Sequence, residues 1–254
     1  MKTSKKIALI TGATSGIGKA TAIILAENNF DIIACGRRHD RFKELEKILI
    51  DKGAHVYIKP FDIRKNSEVE SFFKDLPEKW SKIDVLVNNA GLASGLSSLA
   101  DGEIDDWEVM IDTNVKGLLY VSKNVVQLMQ KNKSGHIVNI GSIAGKEIYP
   151  YGNVYCATKF AVDALTKAMR RELADKNIRV TGIHPGAVET EFSLVRFKGN
   201  KEKASKVYEG FENLVAKDIA EAVLWSINRP DHVNINEIVI MPKAQPAAGI
   251  IIKK

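Results

Sequence analysis

The feature that most constrains the fold is a regular alternation of short apolar runs with longer segments of helical periodicity. Seven runs are typical of buried strands: 7–10, 31–35, 54–59, 83–87, 136–140, 178–183 and 237–241. Apolar residues at helical spacing fill the segments between them: 17–27, 42–50, 67–76, 105–131, 154–176 and 216–228. Strands that alternate with helices pair in parallel, because each helix carries the chain back across the sheet. The pattern predicts an α/β fold, a doubly wound seven-stranded parallel sheet with helices on both faces.

Length and composition are those of one globular domain. The chain has 254 residues, of which 45% are apolar and 27% charged, enough to bury a core without a disulfide or metal. Because no repeat, linker or low-complexity tract divides it, we predict a single domain over 1–254. Cys35 and Cys156 are far apart and the five histidines show no zinc-ligand spacing. We therefore expect no metal site and a reducing, cytoplasmic location.

The sequence favours neither secretion, nor a place in the membrane, nor a nucleic-acid partner. The basic start is followed by an apolar run of residues 7–10 that ends before Gly12, too short for a signal peptide, and no stretch approaches the roughly 20 apolar residues of a membrane span. The net charge of +6 suggests an anionic partner, but acidic residues are interleaved with the basic ones, so a small ligand is favoured over nucleic acid.

A glycine-rich turn follows the first predicted strand and opens the first helix. Its sequence is TGATSGIG, residues 11–18, with Gly12, Gly16 and Gly18 spaced as GxxxGxG. Glycines let the backbone turn sharply, and the amide groups at the start of a helix attract a pyrophosphate. Spacing alone is weak support, since a tight turn needs glycine without any ligand. Its position between strand and helix favours a dinucleotide site, with Ser15 and Ile17 beside the glycines.

The second strand ends in a basic pair that bears on the choice of cofactor. Arg37 and Arg38 stand where an acidic residue would bind the ribose 2′-hydroxyl of NAD. A guanidinium fork matches a 2′-phosphate, so NADP is favoured over NAD. Solvated arginines at a helix start are the alternative. Asp62, after the third strand, either caps the turn or faces the adenine ring.

Three side chains are candidates for the reaction. Tyr155 and Lys159 are four residues apart on a predicted helix, so they share a face. A nearby ammonium favours the phenolate and so makes a tyrosine a usable acid or base at neutral pH. Ser142 follows the fifth strand, at the same sheet edge as the glycine turn, where its hydroxyl can bind a substrate oxygen. An aromatic–aliphatic contact on an amphipathic helix is the alternative for Tyr155 and Lys159.

With these residues the chain resembles the short-chain dehydrogenase/reductase family, whose members have a single-domain Rossmann fold. The matching motifs, in order, are TGATSGIG, Asn88-Asn89-Ala90-Gly91, Asn114, Ser142, Tyr155-x-x-x-Lys159 and Pro185-Gly186. The resemblance implies hydride transfer between NADP and a carbonyl or alcohol, with Tyr155 as general acid and Ser142 orienting the carbonyl. It implies that Lys159 lowers the pKa of Tyr155 and holds the nicotinamide ribose, so that Tyr155 and Lys159 also contact the cofactor. It implies that Asn114 holds a proton-relaying water. Other implied cofactor contacts are Asn88, Ala90 and Gly91 near the ribose and Pro185, Gly186, Val188 and Thr190 near the carboxamide.

Longer stretches such as NNAGLASG, MIDTNVKGLLY and GAVETEFSLVRFKGN are similar to one branch, the NADP-dependent 3-hydroxy acid dehydrogenases acting on serine, L-allo-threonine and malonic semialdehyde. Their anionic substrates need a cation, so Arg196 and Lys198, in a predicted mobile lid over 190–212, are candidate ligands alongside Ser142 and Tyr155. Solvent-exposed lid charges are the alternative. The resemblance also implies a homotetramer, assembled through the helices at 105–131 and 154–176 and the last strand.

Reductases of neutral ketones, diketones or aldehydes remain the main alternative, because Asn114, Ser142, Tyr155 and Lys159 recognise only the carbonyl. A non-catalytic dinucleotide sensor is a second alternative, since fold alone does not fix function. Retention of the four reactive side chains argues against it.

Overall fold

The computed structural model describes residues 5–253, so the start Met1–Ser4 of the predicted basic segment and the terminal Lys254 lie outside it. Seven parallel strands form one sheet in the order β3-β2-β1-β4-β5-β6-β9. Their bounds are β1 Lys6–Thr11, β2 Phe30–Gly36, β3 Val56–Pro60, β4 Ile83–Asn88, β5 Gly135–Ile140, β6 Ile178–Pro185 and β9 Glu237–Ile240. The predicted parallel sheet is confirmed, and its strand order reverses between β1 and β4, where ligand crevices open in such sheets.

Helices connect the strands. Their bounds are α1 Gly16–Glu27, α2 Phe42–Asp51, α3 Asn66–Lys74, α4 Ile104–Ile111, α5 Leu118–Asn132, α6 Asn153–Leu173, α7 Phe192–Arg196, α8 Lys201–Lys206 and α9 Ala216–Ile227. A π-helical turn at Asp112–Gly117 joins α4 to α5, so the helix predicted over 105–131 is continuous but locally widened. None of the helices in the part of the chain described here is long and apolar enough to cross a membrane.

The sheet is buried on both faces because alternate residues of its strands face opposite sides. Ala8 and Ile10 of β1 lie in a core with α1, α2 and α9, whereas Ile7 and Leu9 lie in a core with α3, α5 and α6. This arrangement explains why the central strands are continuously apolar. Because helices pack on both faces of the parallel sheet, the architecture is doubly wound.

The segment over 190–212 departs from the strand–helix rhythm, as the sequence indicated. It contains α7 and α8, and it follows a two-residue strand β7, Val188–Glu189, that pairs with β8, Leu214–Val215. This small second sheet fixes both ends of the segment above the carboxyl edge of the main sheet.

Candidate active site

The glycine turn after β1 lies at the carboxyl edge of the sheet and opens into a crevice. Gly12 and Gly16 have positive φ angles of 65° and 51°, which favour glycine. Ser15, at the start of α1, makes no side-chain capping bond, and the first turn of α1 contains no acidic residue. The amide groups at this helix start are thus free to meet an anion. Gly12, Ser15, Gly16 and Ile17 all line the crevice.

Gly18 is a buried residue of the first turn of α1. It does not line the crevice, and a Cβ there would overlap Asn89 Nδ2 and the Gly12 carbonyl oxygen. Gly18 thus allows α1 to pack closely on the turn, and its contact with the cofactor stays a prediction. Asn89, which sequence reasoning missed, donates to the carbonyl oxygens of Thr11 at 2.9 Å and Gly12 at 3.3 Å and lines the crevice.

The arginines at the end of β2 lie where the sequence placed them. Arg37 and Arg38 line the same crevice as Gly36 and Thr14. Nη1 of Arg38 donates a 2.5 Å hydrogen bond to Glu191, which is itself a crevice residue. Three predicted cofactor elements, the glycine turn and the two arginines, therefore face one cavity.

The remaining walls of the crevice come from loops after β3, β4 and β6. Asp62 caps its own turn by accepting from the Arg64 amide at 3.0 Å, pairs with the Arg64 guanidinium, and lines the crevice. Partial burial works to raise the pKa of Asp62, but the bonds from Arg64 outweigh it and hold that pKa low. The other predicted residues that line the crevice are Ala90, Gly91, Pro185, Gly186, Val188 and Thr190.

Tyr155, Lys159 and Ser142 meet in this crevice. Helix α6 presents Tyr155 and Lys159 one turn apart, with the Lys159 ammonium nitrogen 6.0 Å from the centre of the Tyr155 ring. That nitrogen donates a 3.0 Å hydrogen bond to the Ile140 carbonyl oxygen at the end of β5. Ser142 follows β5 and accepts a 3.0 Å bond from the Ala144 amide.

Burial determines the protonation states of Tyr155 and Lys159. It raises the pKa of the Tyr155 phenol; the neighbouring Tyr149 adds to this, while Arg196 and a hydrogen bond with Ser142 oppose it. Burial also lowers the pKa of Lys159 to about 8. Tyr155 is thus a neutral proton donor near pH 7 in the unliganded protein, and Lys159 is a cation that loses its proton readily.

Two asparagines lie outside the lining of the crevice. The side chain of Asn88 is buried and donates to Ser122 Oγ at 2.8 Å and Asn139 Oδ1 at 2.9 Å. Its position on β4 points the amide between the strands and α5, and its contact with the ribose stays a prediction. Asn114 is also buried, outside the crevice lining, and its side chain exchanges 2.8 Å bonds with the amide and carbonyl of Leu92 and donates to Thr158.

Asn114 nevertheless lies close to the ammonium group of Lys159. A Cβ added at Gly91 would lie 3.2 Å from Asn114 Oδ1 and 3.5 Å from the Lys159 ammonium nitrogen. The amide therefore holds the loop after β4 next to Lys159, and its π-helical turn is of a kind often found at functional sites. The water-holding role stays a prediction.

Helix α7 covers Tyr155. Phe192 and Arg196, four residues apart, lie on one face of α7, with the Phe192 ring 5.5 Å and the Arg196 guanidinium carbon 5.0 Å from the Tyr155 ring centre. Arg196 donates a 2.8 Å bond from Nη2 to the Tyr149 hydroxyl. Its Nε is buried and has no hydrogen-bond partner among residues 5–253. Arg196 and Tyr155 share a small polar recess that opens beside the crevice.

Lys198 does not line that recess, but its charge is paired with a carboxylate that does. Its ammonium nitrogen lies 2.9 Å from Asp106 at the start of α4, and its side chain is 59% exposed. That substrate binds to Lys198 stays a prediction. The pairing ties the 190–212 segment to α4.

An ion-pair cluster ties the loop that contains Ser142 to α6 and β9. Lys146, just after that loop, bridges Asp163 of α6 at 2.7 Å and Glu237 of β9 at 2.6 Å. Asp163, Glu237 and the buried His184 have ligand atoms close enough together to hold a cation. The ammonium groups of Lys146 and Lys167 already neutralise these carboxylates, so the cluster is structural.

Comparison with known proteins identifies the class. The family model described as short chain dehydrogenase matches residues 6–201. The chain belongs to this family and is an oxidoreductase that acts on hydroxyl donors.

Similar proteins extend over the whole chain. It is 46% identical over 249 residues to the NADP-dependent 3-hydroxy acid dehydrogenase YdfG of Salmonella typhi, covering 98% of this chain and 99% of that protein. It is 41% identical over 252 residues to the NADP-dependent 3-hydroxy acid dehydrogenase of Schizosaccharomyces pombe, covering 98% and 97%. A solved structure of the closed form of serine dehydrogenase complexed with NADP⁺ is similar, with a TM-score of 0.92, 43% identity and coverage of 98% and 99%.

Proposed function

We propose that this protein transfers hydride between NADP and the 3-hydroxyl of small 3-hydroxy acids such as serine, L-allo-threonine, 3-hydroxypropionate or 3-hydroxyisobutyrate. In reverse it reduces the corresponding carbonyl. The observation that carries the choice of an acid is Arg196, a half-buried cation beside Tyr155 whose Nε has no partner among residues 5–253. Similarity to 3-hydroxy acid dehydrogenases and a serine dehydrogenase supports the same choice.

The crevice fits a dinucleotide with a 2′-phosphate. The uncapped start of α1 provides amide groups for a pyrophosphate, and a Cβ at Gly12 would come within 3.0 Å of Ala90 Cα and so close the turn. Arg37 and Arg38 supply cations at the end of β2. When bound, the nicotinamide accepts or delivers the hydride.

Tyr155 handles the proton in this proposal. In oxidation its phenolate accepts the hydroxyl proton of the alcohol as the C–H hydride leaves, and in reduction the phenol returns that proton to the alkoxide. Ser142 holds the reacting oxygen, and Lys159 stabilises the phenolate by its positive charge. Phe192 covers the Tyr155 ring and restricts water there.

Arg196 anchors the carboxylate. Its Nη2 is used by Tyr149, but Nε is buried without a partner among the described residues, so a carboxylate oxygen that binds it satisfies an otherwise costly group. Charge-assisted bonds of this kind are among the stronger ones. Because Arg196 contacts the Tyr155 ring, the anchored acid lies within reach of the proton donor.

The 190–212 segment acts as the lid that carries this anchor, and the protein assembles as a homotetramer. Exposed apolar side chains on the long helices and near the C-terminus support assembly: Ile104, Ile111, Leu119, Phe160, Val239, Ile250 and Ile252. Light scattering coupled to size-exclusion chromatography tests this, and a monomer would contradict it.

The function is tested by mixing the purified protein with NADP⁺ or NAD⁺ and each of the four acids, and following the absorbance of the reduced nicotinamide. We expect turnover with NADP⁺ that falls by about 10²-fold or more in Tyr155→Phe, since this substitution removes the proton-transferring group. An inert panel with NADPH still bound would reject the 3-hydroxy acids and favour a neutral carbonyl substrate.

A further inference from the structure

A carboxylate lies where the 2′-phosphate of the cofactor is proposed to bind. Glu191 lines the crevice, and its Oε2 accepts a 2.5 Å bond from Nη1 of Arg38, a second crevice residue. The contact joins the start of the 190–212 segment to the end of β2, 153 residues apart in sequence.

Arg41 holds the same carboxylate. Its Nη1 donates to both Glu191 oxygens, at 2.8 and 2.9 Å. Partial burial works to raise the pKa of Glu191, but the bonds from Arg41 and Arg38 outweigh it and keep that pKa low. Glu191 is therefore an anion at neutral pH, shared between two cations.

A phosphate monoester and a carboxylate make the same demand on an arginine, because the planar guanidinium donates to paired oxygens in either group. Two anions held on Arg38 at once would also repel each other. A 2′-phosphate that binds the Nη1 edge of Arg38 therefore displaces Glu191 from that edge. Arg41 can keep the displaced carboxylate, since its bonds to Glu191 do not involve Arg38.

We infer that Glu191 is a specificity residue that competes with the 2′-phosphate for Arg38. A dinucleotide without that phosphate leaves the Arg38–Glu191 pair intact, whereas NADP must displace it. Glu191 thus weakens NADP binding selectively and hastens release of the product NADPH, a step that limits turnover in many such enzymes. The inference rests on the proposed use of NADP.

The test compares Glu191→Gln with Glu189→Gln, a neighbouring exposed carboxylate on β7. Calorimetry measures binding of adenosine 2′,5′-bisphosphate and 5′-AMP, which differ only in the 2′-phosphate, followed by NADPH and NADH. In Glu191→Gln we expect the bisphosphate and NADPH to bind about two- to fivefold tighter, the range for partly exposed ion pairs. We expect 5′-AMP and NADH to change less than about twofold and Glu189→Gln to match the wild type.

The Arg38→Gln variant shows whether the tighter bisphosphate binding depends on Arg38. In Arg38→Gln, adding Glu191→Gln should no longer tighten bisphosphate binding, because the contested arginine is gone. Unchanged or weaker bisphosphate binding by Glu191→Gln alone would overturn the inference, and weaker binding would mean that Glu191 positions the arginines. Wild-type protein that binds the bisphosphate no tighter than 5′-AMP would instead reject the proposed use of NADP.

Discussion

At the scale of single residues, the proposed recognition of the substrate carboxylate depends on Arg196. We expect Arg196→Gln to raise the KM for 3-hydroxypropionate about 10- to 100-fold, because charge-assisted bonds to the carboxylate are lost. The kcat should change much less. Initial rates with saturating NADP⁺ measure both constants.

Lys203→Gln is the matched control, since Lys203 is an exposed cation of α8 in the same 190–212 segment and lines neither the crevice nor the recess. Its KM should equal that of the wild type. If Arg196→Gln lowers kcat at unchanged KM, Arg196 acts on Tyr155 and not on the carboxylate.

Lys159 gives a second prediction. Its folded pKa of about 8 lies below its ordinary value of 10.5, so the unfolded chain binds more protons between these values and stability rises with pH across that window. Below about pH 8 the buried charge costs stability in full. Lys159→Met should therefore raise the free energy of unfolding by about 1–3 kcal/mol at about pH 7.

Urea unfolding at about pH 7 and about pH 10 measures this difference, which should shrink at the higher pH as Lys159 of the wild type loses its proton. A variant less stable than the wild type at neutral pH would show that the bond to Ile140 outweighs the burial of the charge.

Single residues also show what sequence can predict. Gly12, Arg37, Arg38, Ser142, Tyr155 and Lys159 share one crevice as expected, because strand ends and helix periodicity place them there. Asn88, Gly18 and Lys198 do not line it, since strand alternation, close packing and an ion pair to Asp106 fix their directions. Such local contacts, like the tilted packing of Phe192 against Tyr155, leave no periodic signal in the sequence.

At the scale of elements, the junction of β1 and α1 is the most tightly constrained. Gly18→Ala should destabilise the protein by about 1–3 kcal/mol, because its Cβ would overlap Asn89 and the Gly12 carbonyl oxygen. Thermal unfolding measures the loss.

Gly36→Ala is the comparison, because its Cβ would meet Thr14 at an ordinary 3.5 Å. It should cost clearly less than Gly18→Ala. Equal losses would mean that close packing of α1 is not what requires glycine at position 18.

The elements themselves followed from the apolar pattern with small shifts at their ends. The π-helical turn between α4 and α5 and the short β7–β8 pair were not predicted. Both are too short to produce periodicity and depend on contacts between distant segments.

The cytoplasmic location stays a prediction.

At the scale of the whole molecule, two buried histidines contribute to the loss of stability in mild acid. Burial lowers the pKa of His136 to about 3 and that of His184 to about 4, from 6.5. As pH falls below 6.5 the unfolded chain takes up protons that the folded protein does not, so stability is lost. We expect each histidine to cost about 2 kcal/mol at about pH 5.

Urea unfolding at about pH 7 and about pH 5 measures this loss. His136→Gln should reduce the pH dependence, whereas His232→Gln, at an exposed position, should leave it unchanged. Equal stability of the wild type at both pH values would contradict the account.

We propose that this dehydrogenase selects substrates that carry a carboxylate near the reacting hydroxyl. The most direct test is the ratio of kcat/KM for 3-hydroxypropionate to that for 1,3-propanediol, which differ at the end of the chain remote from the reacting hydroxyl, with NADP⁺ as acceptor. We expect a ratio of about 10 or more in favour of the acid, because a charge-assisted bond to the carboxylate stabilises its transition state by about 1.5 kcal/mol or more. A ratio at or below about one would contradict it and favour a neutral substrate.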